Sequence, residues 1–237
     1  MEIKSYFNTN EKEIKSKKFN IFIGISLGNK YFSKENIKKY ILWALENTKE
    51  DVLILIVDKI HSINYEILNK YTKNRAESVA LKKGIEMKQS VEKIIRNLPK
   101  EKQKLVKICL WDSITKSKTY KQSIPFIHKE FKENKLFHEC IMKIVKENLG
   151  NKTNKLNEEE LDKLAFYVLD ELPILIQGVE FENKIYTLHP YPGFSLLEDL
   201  ILGLQKGTMF SSLSKKLNIK NKTAEVEAYI DDSIIPG

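Results

Sequence analysis

The sequence predicts an α/β fold, with a mostly parallel β-sheet covered by helices on both faces in a single three-layer domain. Three observations predict it. The runs Phe19–Ile25, Asp51–Val57 and Leu105–Leu110 are short, apolar and β-branched, the pattern of strands buried on both faces. Stretches of helical periodicity separate them, as crossover connections in a parallel sheet require. No repeat and no long linker divides the 237 residues, which are enough to bury one core without staples.

In chain order, residues 1–18 are polar and charged and read as a loose arm or a poorly ordered edge. The Phe19–Ile25 strand runs into Gly24-Ile25-Ser26-Leu27-Gly28, where two glycines let the backbone turn and let another molecule approach. Ser33 is an N-cap candidate, with Glu35 in the first turn of a helix to about Asn47. Asp51–Val57 is the clearest buried strand. One long helix is expected from about Tyr65 to Leu98, stopped by Pro99, before the third strand, Leu105–Leu110. Helices follow over roughly 116–134, interrupted at Pro125, and over 135–148, ending at Gly150. Asn157 caps a helix opened by Glu158, Glu159 and Glu160, which Pro173 bends or ends. Short strands near Gly178–Phe181 and Lys184–Leu188, a helix over Ser195–Leu202 and a late strand at Val226–Ile230 complete a Rossmann-like sandwich.

The hydrophobic fraction of 42% is ordinary for a globular chain. Cys109 and Cys140 have no motif spacing, so neither a disulfide framework nor a metal site is expected. The amino terminus lacks the apolar core of a signal peptide, and no run approaches the roughly 20 residues of a membrane helix. A cytoplasmic protein without membrane association is expected.

The net charge of +8 points to an anionic partner, although lysine is the default cation throughout this Lys-, Asn- and Ile-rich chain. The two arginines, Arg75 and Arg96, fall in one expected helix. With Lys82, Lys93 and Lys100 they lie within roughly 40° of one line on a helical wheel, opposite Ala76, Ala80, Val91 and Ile94. That stripe is either a phosphate-backbone track, whose affinity falls steeply with salt, or an ordinary solvated face.

Three pieces carry candidate chemistry. Ser26 stands just past a strand's carboxyl end, where open α/β sheets put their ligands. Gly24-Ile25-Ser26-Leu27-Gly28 formally matches the hydrolase nucleophile elbow, but there the helix starts directly behind the serine, and here no start precedes Ser33. A small hydrolase would need a base such as His189 with Asp170 or Asp112 as its acid. The other histidines, His61, His128 and His138, read as surface or satisfied core residues. Tyr167 and Glu171, four apart, share a helix face. They form either a structural hydrogen bond or a grip for an ammonium group. In His189-Pro190-Tyr191-Pro192-Gly193, prolines on both sides hold Tyr191 in a rigid loop, again alongside ordinary turn chemistry.

Together these pieces resemble the cyclodipeptide synthase family. That family carries a serine in a glycine-bracketed loop followed by an aromatic cluster, as with Ser26 and Tyr31-Phe32 here. It then has Tyr-x-x-x-Glu on a late helix, as in Tyr167 and Glu171, and a tyrosine about twenty residues on, as in Tyr191. Of the two family groups, one has Asn three after the serine with a later Tyr-His and the other has Tyr-Pro. This chain combines Asn29 with Tyr191-Pro192.

The resemblance implies a domain like the catalytic domains of class I tRNA synthetases, without ATP or any other cofactor. It implies a monomer that takes two aminoacyl-tRNAs and releases a diketopiperazine. Ser26 would become an aminoacyl-enzyme in a ping-pong scheme, and Glu171 and Tyr167 would hold the α-ammonium. Glu171 would then act as general base, and Tyr191 would assist proton transfer. Gly24, Asn29, Val57 and Leu110 are expected to line the substrate pocket, and the basic helix to meet tRNA. The competing readings are the hydrolase using Ser26 and His189, and a non-catalytic RNA-binding module.

Overall fold

A computed structural model of the chain describes residues 1–230. Its elements run β1 (Glu2–Phe7), α1 (Glu11–Lys15), β2 (Ile21–Ser26), α2 (Lys34–Asn47), β3 (Val52–Val57), α3 (Ser62–Leu68), α4 (Lys73–Arg96) and α5 (Lys100–Gln103). Next come β4 (Val106–Leu110), α6 (Trp111–Ile114), α7 (Lys118–Glu133), α8 (Lys135–Leu149) and α9 (Glu158–Gln177). The chain continues through β5 (Val179–Phe181), β6 (Lys184–Tyr186), β7 (Leu188–Tyr191), α10 (Leu196–Lys206), α11 (Ser211–Leu217) and β8 (Ala224–Tyr229).

Six strands form one sheet in the order β1-β8-β7-β2-β3-β4, and β5 and β6 form a separate hairpin. All neighbours in the large sheet are parallel except β1 against β8. The expected mostly parallel sheet is present. Its pleat divides the apolar residues into two cores. Ile21, Ile23 and Ile25 of β2 join Val52 and Ile54 of β3 against Ile37, Tyr40 and Ile41 of α2 and Val91 and Ile94 of α4. Phe22 joins Leu53, Leu55 and Val57 on the other face, under Leu164, Val168 and Leu172 of α9 and the α7–α8 pair.

The amino-terminal expectation is corrected. Residues 2–7 are a paired edge strand, polar because every second side chain faces water, and Ser5 Oγ donates to Glu227 at 2.6 Å. The expected long helix is two helices, α3 and α4, separated where Lys70 takes a left-handed φ of +56°. Neither interior proline ends its helix: α7 runs through Pro125, and α9 continues four residues past Pro173. The segment around Tyr191 is strand β7, not a loop. Its ladder to β2 is a single position, Ile21 opposite Leu188, and Pro190 has no N–H to extend it. The two strand ends thus part at the point where the strand order reverses, which is where such sheets form a crevice.

Asp58 stitches the ends of β3 and β4. It is buried and accepts the Trp111 N–H at 2.9 Å. Gly84 of α4 lies directly against it: a Cβ there would stand 2.5 Å from Asp58 Cβ and 2.9 Å from Oδ2. Gly84→Ala should gain about 1 kcal/mol of helix propensity and lose about 1–3 kcal/mol to overpacking. A net loss is expected because Asp58 cannot retreat without releasing Trp111. Denaturant midpoints will check this, and a stabilised variant would contradict the close packing.

Candidate active site

Alternate residues of four strands form the floor of a cavity of about 740 Å³: Phe22, Gly24 and Ser26 on β2, Leu55 and Val57 on β3, His189 and Tyr191 on β7, Glu225 and Glu227 on β8. Helix α9 roofs it with Leu164, Tyr167, Val168, Glu171, Ile174 and Leu175, spaced by three or four residues along one helix face. The capping box formed by Asn157 and Glu160 fixes where α9 starts, and so which face it presents.

Ser26, Tyr167, Glu171 and Tyr191, from three distant stretches, therefore line one space, together with Gly24, Asn29 and Val57. Leu110 does not line it. In the β3–β4 register Leu110 lies beside Ile56 and Cys109 beside Leu55. Leu55 faces the cavity, so the pleat turns Leu110 to the opposite face.

The Ser26 hydroxyl lies near enough to both phenols to act on their titration, and the Tyr167 phenol near enough to act on that of the Glu171 carboxyl. Burial pushes the Glu171 carboxyl up to about 8, against the opposing hydrogen bond from Tyr167. Burial also raises both phenols, with the Glu171 charge adding to the effect. Glu171 is half-buried and lines the cavity. Asn29 holds the turn behind the serine: its Oδ1 accepts the Tyr31 N–H at 2.9 Å, and its side chain bonds Tyr191. Gly28 turns the chain at φ +80°. Phe32 packs on Tyr191 with ring centres 6.1 Å apart. The α2 helix starts only at Lys34, capped by Ser33, so the hydrolase-elbow geometry is absent.

Sequence reasoning missed several lining groups. His61 was read as a surface or satisfied residue. It lines the cavity, stands edge-on to Tyr167 at 5.8 Å and is pushed down to about 4 by burial, with Lys83 adding to the effect. Glu225, Glu198 and Glu227 gave no motif signal. Neither acid expected to serve His189 does so: Asp170 binds His128 at 2.8 Å, and Asp112 pairs with Lys59 at 3.2 Å. Glu225 is the acid beside His189, with 3.9 Å between Oε2 and Nδ1.

The basic residues Arg75, Lys82, Lys93, Arg96 and Lys100 are all exposed. Arg75 stacks on Tyr71 at 4.2 Å, and Arg96 reaches Glu92 at 3.5 Å. Lys100 is not on α4 as expected, because Pro99 starts the separate helix α5.

The cavity thus brings a hydroxyl at the end of a parallel strand together with a carboxyl raised by burial and two phenols, on a Rossmann-like sheet. The family model described as cyclodipeptide synthase matches residues 5–208, and the chain belongs to that family of aminoacyl-tRNA-using aminoacyltransferases. The fold is shared with solved family structures. One from Mycobacterium tuberculosis, reported to relate cyclodipeptide synthetases to type I tRNA synthetases, is 16% identical with a TM-score of 0.71, covering 98% of this chain and 96% of its own. One from Bacillus thermoamylovorans is 19% identical with a TM-score of 0.72, covering 91% and 90%. One from Candidatus Glomeribacter gigasporarum, bound to Phe-tRNAPhe, is 15% identical with a TM-score of 0.62, covering 91% and 89%. A comparison with curated proteins gives no match. No helix among the described residues is long and apolar enough to cross a membrane.

The raised Glu171 value has a consequence for stability. The unfolded chain loses this proton near 4.5 and the folded protein near 8, so between them the folded state binds more protons and stability falls as pH rises. Glu171→Gln removes that penalty. Its stability should match the parent near pH 4.5 and exceed it by roughly 2–4 kcal/mol at pH 8. Denaturant unfolding across that range measures the gap, and a gap independent of pH would refute the desolvated carboxyl.

Proposed function

We propose that the chain joins two aminoacyl groups, each delivered by its own tRNA, through an aminoacyl ester on Ser26. The observation that carries this reading is that Ser26, the Tyr167–Glu171 pair and Tyr191 share one cavity although they arise from β2, α9 and β7. The substrates are already activated esters, so positioning and proton transfer are the work left to the protein.

In the first step Ser26 Oγ attacks the ester carbonyl. The ribose oxygen of the tRNA leaves with the serine proton, passed through a neighbouring phenol or water. Backbone N–H groups of the Leu27-Gly28 turn are the candidates for holding the oxyanion. The new ester leaves a free α-ammonium, which Glu171 and Tyr167 receive. An α-amino group titrates near 7.7–8.0, close to the value of about 8 at which burial holds Glu171. A proton can therefore pass between them at little cost, which suits Glu171 to the general-base role.

The freed amine then attacks the second aminoacyl-tRNA, forming the peptide bond and expelling the second ribose oxygen. The dipeptide stays on Ser26 until its terminal amine attacks the serine ester. That closes the ring and returns the hydroxyl, with Tyr191 as the candidate to move the proton. The tRNA bound by the Candidatus Glomeribacter relative supports aminoacyl-tRNA as substrate, and the exposed α4 stripe of Arg75, Lys82, Lys93 and Arg96, with Lys100 beyond it, is the candidate backbone contact.

Ser26→Ala should keep the circular dichroism spectrum and lose both acyl-enzyme and cyclic product by at least about 1,000-fold. Mass spectrometry reads both, and turnover within tenfold of the parent would end the covalent scheme. Arg75→Glu with Arg96→Glu should weaken aminoacyl-tRNA binding and flatten its log–log salt dependence by about one to two. An unaltered slope would return α4 to a solvated surface.

A further inference from the structure

Four side-chain atoms among the described residues are buried without a hydrogen-bond partner: Tyr65 Oη, both ring nitrogens of His189, and Glu225 Oε1. All three residues line the cavity. Buried polar atoms are paired in more than about nine cases in ten, so orphans gathered at one cavity need an explanation. His189 and Glu225 are neighbours across the β7–β8 ladder and are 7% and 2% exposed. The imidazole stacks on Phe22 with ring centres 4.5 Å apart and planes 3° off parallel, so its position is set by packing. Its Nε2 lies 3.0 Å from where a Cβ on Gly24 would stand. Gly24 and Ser26 are two apart on one face of β2, about 6.6 Å along the strand.

We propose that His189 and Glu225 are specificity residues for the first amino acid, selecting a side chain that ends in an N–H or O–H donor over an aliphatic or plain aromatic one. The proposal rests on the reading that Ser26 carries the first aminoacyl group. With the α-ammonium held by Glu171 on the roof, the side chain is directed down the floor past Gly24. The imidazole itself occupies the space over Gly24, with Nε2 already 3.0 Å from where a Cβ would stand, so a side chain passing down the floor ends against His189 and, beside it across the ladder, Glu225.

Burial holds His189 neutral, down at about 3, so its ring offers one acceptor and one donor. Burial pushes the Glu225 carboxyl well above the usual carboxylate range, so it is a neutral acid with an unpaired oxygen facing a polar tip. The other floor and rim acids are already engaged: Glu198 caps Ser195, and Glu227 accepts from Ser5 and Tyr229. Lys152 is the one lysine or arginine among the described lining residues, so no fixed cation fills the floor beside His189 and Glu225. No group of three or more metal-ligating side chains suited to an ion occurs among the described residues. An aliphatic tip here would leave all three atoms orphaned and dry, and a site of this kind rejects an analogue lacking its donor by large factors.

The experiment presents purified enzyme with a panel of aminoacyl-tRNAs, including the near-isosteric pairs asparagine–leucine and tyrosine–phenylalanine together with histidine, lysine and tryptophan. Acylation of Ser26 is read by intact-protein mass spectrometry, and cyclic product by liquid chromatography. At least about a 100-fold preference for one or more donor-bearing side chains is expected. His189→Leu should reduce that preference below about tenfold and admit leucine or phenylalanine, and Glu225→Gln should weaken it while retaining the fold. Efficient acylation by leucine or phenylalanine in the parent enzyme would overturn the proposal while leaving the Ser26 mechanism standing. Absence of acylation and of product with every aminoacyl-tRNA would instead overturn the mechanism itself. If His189→Leu fails to fold, the parent panel and Glu225→Gln still decide the matter.

Discussion

Which residues can meet a substrate in this protein is decided by the pleat of one sheet. Ser26 sits over Gly24 and Phe22 because every second side chain of β2 points the same way, and the same rule places His189, Tyr191, Glu225 and Glu227 beside them. A slip of one residue would put Ser26 in the α2–α4 core. That slip is opposed from both sides. Each face of β2 is fully apolar along Ile21–Ile25 except at Gly24, and each packs its own set of helices. Leu110 shows how sharply the rule cuts: its neighbour Cys109 lies beside a floor residue and it does not.

The roof imposes the opposite demand. Helix α9 is apolar along most of its inner face, yet Glu171 interrupts that face, held by one phenol and with no cation facing it. Burying an ionised carboxyl without a partner costs more than a folded domain can readily bear, so the group keeps its proton instead. The arrangement is destabilising at neutral pH and chemically useful for the same reason. A carboxyl that retains its proton until about 8 can release it when an ammonium arrives, because the incoming charge supplies what the protein withholds. Stability given up at a reaction centre is a common pattern in enzymes.

The layers, the parallel core strands and both capped helices that position the site were legible because each depends on local signals: continuous β-branched runs, Ser33 before Glu35, Asn157 before Glu160. The family resemblance, rather than any local spacing, singled out Ser26, Tyr167, Glu171 and Tyr191 together, and the four line one cavity. What was not legible depends on pairings across the chain. The edge strand β1 is too polar to announce itself, and β7 is hidden by Pro190. The break between α3 and α4 turns on Lys70, a residue with no helix-stopping reputation. Glu225 lies in a short strand with no motif, and only its register with His189 brings it to the floor.

The distribution of charge gives the site its polarity. The chain carries a net +8, and α4 displays exposed cations, but the cavity holds five glutamates and one lysine. A polyanion is therefore attracted to the surface, whereas in the cavity burial holds the carboxyls of Glu171, Glu198 and Glu225 above their ordinary range, so the interior offers largely neutral acids rather than a block of negative charge. On the proposed function, an aminoacyl-tRNA would gain at its phosphates outside and at its ammonium inside, where Glu171 can release its proton. The ester linkage would then lie between the two regions, near the strand end where Ser26 stands. On the same reading the cyclic product, once its amines are consumed, carries no ammonium for Glu171 to hold.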